Sequence, residues 1–132
     1  MLITLPITIT LSRKKGDKQV PLNLNWYRNA HHITKNNIKQ LFKERVYLDN
    51  PLLKKLVVSA YPIALRYDLY WSSNRQVDVA NVLSIVDKFF CDALEEEGVL
   101  KDDSFKYISQ VIYNFKGIDK ENPRVEVVIE NS

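Results

Sequence analysis

Between Arg75 and Tyr107 the chain spaces six polar side chains in a way that suits a divalent cation and a phosphate. Asp78 stands at an expected helix start. Asn81, Lys88 and Asp92 follow along one helix face, Gly98 turns the chain, and Asp102 and Asp103 come next. Carboxylates distant in sequence but joined by a helix-turn unit are a common way to hold Mg²⁺ against a phosphate. A lysine on the same face supplies a point charge for that phosphate or for its leaving oxygen. Each residue also has a plainer reading. Asp78 is a good N-cap, and the Asp102-Asp103 pair suits a turn. Lys88 and Asp92 stand at i, i+4, where an exposed ion pair contributes about 0.2–0.5 kcal/mol. Aspartate is a poor mid-helix residue, so Asp92 needs some further reason to be there.

The element that must position these groups is the helix over Val79–Glu97. At 100° per residue, Val79, Val82, Leu83, Val86, Phe89, Phe90, Ala93 and Leu94 fill one continuous side. Asn81, Ser84, Lys88, Asp92 and Glu95 fall opposite, and Gly98 suits the position just past the helix end. Upstream, the period-two alternation of Leu2–Leu11 predicts one strand, with Pro6 at an edge or a bulge. Arg13–Lys18 reads as a basic turn, either a solvated hairpin tip or a loop that touches phosphate. Leu22–His32 has no regular pattern. A helix capped by Thr34 follows, with Ile38, Leu41, Phe42 and Val46 inward and Lys35, Lys39, Lys43 and Arg45 outward. Leu56–Trp71 has strand composition divided by Pro62, and Tyr107–Phe115 and Arg124–Ile129 read as two further strands joined by the Gly117–Pro123 turn. The expected fold is α+β: one domain over residues 1–132, a mixed β-sheet with two helices packed against it.

The bulk numbers narrow the classes. A chain of 132 residues with 45% hydrophobic and 27% charged residues is long enough for a globular core and not charged enough for disorder. A formal net charge of +3 permits a polyanionic partner without demanding one. The single cysteine, Cys91, excludes an internal disulfide and makes a reducing, cytoplasmic location the default. The N-terminal segment reads as a strand rather than a secretory signal, and no apolar run approaches the length of a membrane span. Adjacent histidines at His31-His32, with no other ligand nearby in sequence, do not make a metal site. The seven tyrosines and two tryptophans suit a core, and could also stack on bases.

The segment D-A-L-x-x-x-G-x-x-x-D-D at Asp92–Asp103, with Lys88 four residues ahead, resembles the RusA family of phage and prophage Holliday-junction resolvases. The early L-P-I-T-I, the N-x-N-W-Y-R stretch at Asn23–Arg28 and the closing E-N-P-R-V-E-V-V-I are similar to that family's ends. The resemblance implies a homodimer of α+β subunits that cuts four-way DNA junctions by metal-dependent phosphodiester hydrolysis, introducing paired nicks. It implies Asp78, Lys88 and Asp103 as catalytic residues. Mg²⁺, with Mn²⁺ able to stand in, would be held by Asp78 and Asp103, with Asp92 or Asp102 completing the set. The family's R-D-x-D-N start has two acids, whereas this chain reads V-D-V-A-N, which puts Ala80 where the second acid stands. The run from that start to the lysine is also about one helical turn longer, which preserves the helix face. Arg75, Arg66, Asn81 and the Arg13, Lys14 and Lys15 tip are candidates for DNA contacts, which would bring salt-dependent affinity with little sequence preference. The alternative is an inactive or weakened RusA-like dimer that binds DNA without cutting it.

Overall fold

The alternating apolar run at the N-terminus does form strand, but Pro6 cuts it in two. In the computed structural model, which describes residues 1–131, Leu2–Leu5 is β1 and Thr8–Leu11 is β2, and the two belong to different sheets. Proline lacks the N–H that a continuous ladder would need at that point. β2 turns back through the basic tip into β3 (Lys18–Pro21), a two-stranded antiparallel sheet on its own. Ile3, Leu5 and Ile9 all point into the core, as the alternation predicts.

Leu22–His32, expected to be irregular, holds a short helix, α1 (Leu24–Asn29). Asn23 caps it by accepting from the Trp26 N–H at 2.8 Å. α2 runs over His32–Asp49 and begins two residues before the expected Thr34 cap. His31 Nδ1 does the capping, accepting from the Ile33 N–H. Ile38, Phe42 and Val46 are its buried side. A 3₁₀ turn at Pro51–Lys55 follows, and the strand expected from Leu56 starts only beyond Pro62, as β4 (Ile63–Trp71). α3 spans Val79–Glu96, with Gly98 at φ +73° beyond it, the left-handed conformation that favours glycine. β5 (Ile108–Ile118) and β6 (Arg124–Asn131) close the chain.

The main sheet has the order β1-β6-β4-β5. β4 and β5 run parallel, joined by α3 as the crossover, and the other pairs are antiparallel. The architecture is therefore α+β with a mixed sheet, as expected, though with three α-helices and a second small sheet. One face of the sheet, built from Ile3, Leu5, Leu65, Tyr67, Leu69, Val125 and Val127, joins Phe42, Phe89 and Phe90 of the helices in a single core. The other face carries Arg66, Asp68 and Tyr70 of β4 opposite Val128, Glu126 and Arg124 of β6.

β1 and β5 are the two edges of this sheet. At β1 a side chain takes the place of a neighbouring strand. Asn50, just past α2, accepts from the Thr4 N–H at 2.9 Å and donates to the Thr4 carbonyl at 2.8 Å, while also donating to Val46 O at the end of α2. One amide thus ties the strand edge to the helix end. Asn50→Ala leaves both Thr4 groups without partners in a half-buried place. We expect a loss of about 1–3 kcal/mol in urea unfolding; Asn50→Asp should cost at least as much, because its carboxylate would face the Thr4 carbonyl.

Candidate functional site

α3 positions every acid of interest, and its length decides which of them meet. Asp78 is the N-cap: its Oδ1 accepts from the Asn81 N–H at 3.3 Å. At the other end the chain turns at Gly98 and brings the exposed Asp102 and Asp103 back beside the last turns of the helix. Glu95 there has its carboxyl pushed above the usual range, first by burial and then by the charges of Asp103, Asp92 and Asp102, with Lys88 acting the other way. Four carboxylates and one lysine therefore share one end of α3. Glu95 lies about 25 Å along the helix axis from Asp78. Within one chain Asp78 and Asp103 do not meet at one ion.

The remaining sequence candidates divide sharply. Lys88 is exposed and does not pair with Asp92. Asp92 faces α2 instead, 3.5 Å from Lys39, and beside it Lys43 bridges Glu96 and Glu97 at 3.1 and 2.7 Å. The α2 lysines expected on a wet face are in this way partly spent on clamping α2 to α3. Asp102 accepts from the Ser104 N–H at 2.7 Å, and hydrogen bonding to Ser104 holds its carboxyl below the usual range. Asn81 is occupied in part: its Oδ1 accepts from the Leu24 N–H at 3.0 Å and ties α1 to α3. Arg66 lies on the outer sheet face against Glu130 and Asp68. Arg75, Arg13, Lys14 and Lys15 are exposed. Ala80 is exposed as well, so an acid would fit there without burial.

Sequence reasoning passed over Asp87. It sits midway along α3 on the flank facing β5 and accepts three hydrogen bonds. The Tyr67 hydroxyl donates to Oδ1 at 2.6 Å, the Tyr113 hydroxyl to Oδ2 at 3.1 Å, and the Cys91 thiol to Oδ1 at 3.4 Å. Burial comes first in pushing all three donors up, with the neighbouring Asp87 carboxylate also raising each. They therefore remain protonated donors at neutral pH. The one available signal was an aspartate four residues before a cysteine on the apolar side of a helix. Its tyrosine partners are 20 and 26 residues away on two different strands. Cys91, screened by burial and held as a thiol, is no nucleophile here.

Among the described residues no group of three or more His, Cys, Asp or Glu side chains stands close enough together to hold a metal ion. The carboxylates of one chain, taken alone, do not fit a Mg²⁺ site.

The raised tyrosine and cysteine protons bear on stability at alkaline pH. Above about pH 8.5 the unfolded chain begins to release its thiol proton, and above about pH 10 its tyrosine protons, while the folded chain keeps them. Stability should therefore fall as pH rises through this range. Urea unfolding at pH 7, 9 and 10.5 measures the fall, and Cys91→Ala should shift its onset toward pH 10.

Compared with known protein-family models the chain matches none, and it matches no curated protein sequence.

Proposed function

We propose that this protein is a metal-dependent endonuclease for branched DNA that works as a two-fold dimer. The observation that supports the reading is that Asp102 and Asp103 return beside Glu95 at the end of α3, where burial first and then the nearby charges of Asp103, Asp92 and Asp102 raise the Glu95 carboxyl and Lys88 opposes them. Like charges held together favour a cation among them. Lys88, exposed in that setting, suits contact with a phosphate.

What supports the dimer is the edge that Asn50 does not guard. β5 is an eleven-residue edge strand with Val111, Phe115 and Ile118 about half exposed. Antiparallel pairing of β5 with its copy about Tyr113, the middle residue, sets Val111 against Phe115 of the partner subunit. It faces Lys116, the strand's single charge, with Gln110 of the partner subunit. The same axis passes beside Asp87, the midpoint of α3. The two α3 helices then run antiparallel, each N-terminus beside the partner's C-terminal acids, as in ordinary helix pairs about 8–10 Å apart. Asp78 of one subunit would share an ion with Asp103 of the partner subunit. Mg²⁺, or Mn²⁺ in its place, supplies polarisation of the phosphate and an acidified water when bound. Two such sites related by a two-fold suit the two symmetric strands of a junction.

A second reading, a DNA-binding dimer that does not cut, is favoured by Ala80 in the place of a second acid. One assay separates the two: a synthetic four-way junction and linear duplex, each with Mg²⁺ and with EDTA. Nicking of the junction only with Mg²⁺ supports the nuclease, whereas binding without nicking in any divalent ion selects the second reading. Asp103→Asn should lower nicking by ~10² or more while leaving junction binding intact. Asp78→Asn keeps a good cap, so it should leave stability within a few tenths of a kcal/mol yet lose nicking equally. Mixed together, the two inactive variants form heterodimers with one intact shared site, and nicking should return. No recovery on mixing, with dimers present, would overturn the shared site.

A further inference from the structure

We infer that the β2–β3 hairpin is a duplex-binding arm, a two-stranded ribbon that enters a groove of double-stranded nucleic acid with its basic tip against the flanking phosphates. The choice of partner rests on the nucleic-acid reading above, and the placement of the arm does not. Arg13, Lys14, Lys15 and Lys18, less Asp17, give the tip a net charge of +3, equal to the formal net charge of the whole chain. The other residues together are neutral, so the polyanion-attracting charge is concentrated in six positions. All residues from Ser12 to Gln19 are exposed. Among the described residues none of these four cations forms an ion pair, whereas Lys39, Lys43, Arg45, Arg66 and Arg124 all sit against carboxylates. Four cations within six residues make a local positive field whose reach is set by the ~8 Å screening length.

The ribbon below the tip is built to present one side. Ile9 and Val20, paired across the strands, are buried and anchor it to the core. Thr8, Thr10, Gln19 and Pro21 face out, with the Thr10 hydroxyl donating to Gln19 Oε1 at 3.1 Å. The turn is closed by the Gly16 N–H donating to Arg13 O at 3.0 Å, with Gly16 at φ +108°. A two-stranded ribbon is an element that the major groove admits. Its neutral hydrogen-bonding side can meet base edges or bridging waters, and its tip can meet phosphates spaced about 1.7 Å along the duplex axis. Ser12–Lys18 has no apolar side chain to insert into a lipid surface, so an anionic bilayer would attract the tip by charge alone and offer nothing to the polar side of the ribbon.

The test measures binding of the full chain to linear duplex in EDTA over a range of salt concentrations, so that nicking plays no part. Arg13→Gln/Lys14→Gln/Lys15→Gln should weaken binding and flatten the slope of log affinity against log salt by about one for each cation removed. Lys54→Gln/Lys55→Gln/Lys120→Gln removes the same charge from other exposed sites and should leave the slope nearly unchanged. Far-ultraviolet circular dichroism and melting confirm that both variants are folded. Equal slopes for the two triple variants, or an unchanged slope in the hairpin variant, overturn the arm. So does hairpin-dependent binding to phosphatidylserine vesicles in the absence of duplex binding. Duplex binding through the hairpin with no nicking in Mg²⁺ would sink the nuclease reading and leave the arm standing. Junction nicking with an unshifted hairpin slope would do the reverse.

Discussion

Where α3 lies on the sheet depends on one carboxylate. Asp87 gathers the hydroxyls of Tyr67 and Tyr113 and the thiol of Cys91, joining the middle of the helix to the two parallel strands beneath it. Tyr67 is fully buried, so its hydroxyl needs a partner there, and a carboxylate is a stronger acceptor than a neutral oxygen. The apolar side of α3 supplies most of the affinity for the sheet but little directionality, because dispersion and hydrophobic burial tolerate sliding. The two hydrogen bonds that cross to the sheet, from Tyr67 and Tyr113, do not tolerate it, and the Cys91 thiol, on α3 itself, orients the shared carboxylate. They set the height of α3, and so the height of Asp78 at one end and of the acids near Glu95 at the other.

The helix ends are held by different means. At the N-terminus, Asn81 takes the Leu24 N–H, and just past the middle of the helix Trp26 and Tyr27 of α1 meet Phe89 edge-on at 6.2 Å. Toward the C-terminus, Lys39 and Lys43 of α2 hold Asp92, Glu96 and Glu97. These pairs are partly exposed and individually weak. Their arrangement still matters, because it pins acids on the α2 side and leaves Glu95, Asp102 and Asp103 on the side of Lys88.

Much of this was legible in the sequence wherever a single local rule governs. The helix from Val79, its cap at Asp78 and its stop at Gly98 follow from periodicity and end chemistry, and all three are present. The mixed α+β class followed from the order of apolar patterns. What escaped were features set by distant partners. Pro6 reads locally as an edge residue, and only the second sheet shows that the strand changes partners there. α1 is six residues long, too short for a periodic signal, and its one local mark was Asn23 at the cap position. Asp87 looks like an ordinary helix acid until two tyrosines arrive from β4 and β5. The pairing of Asp78 with Asp103 came from the resemblance alone, and the long helix that the periodicity already predicts, eighteen residues in the structure, holds them apart within one chain.

The asymmetry between the two sheet edges has a consequence for assembly size. An open strand on each side would let subunits add without limit, the route to fibres. Here the Asn50 amide blunts one side by occupying the Thr4 backbone groups, while the other offers a bare strand. On the dimer proposed above, pairing through β5 would leave the two β1 strands, each with Asn50 on its Thr4 groups, at the outer extremes. Growth of such an assembly would stop at two, with no charge or bulk needed along the joining strand to limit it.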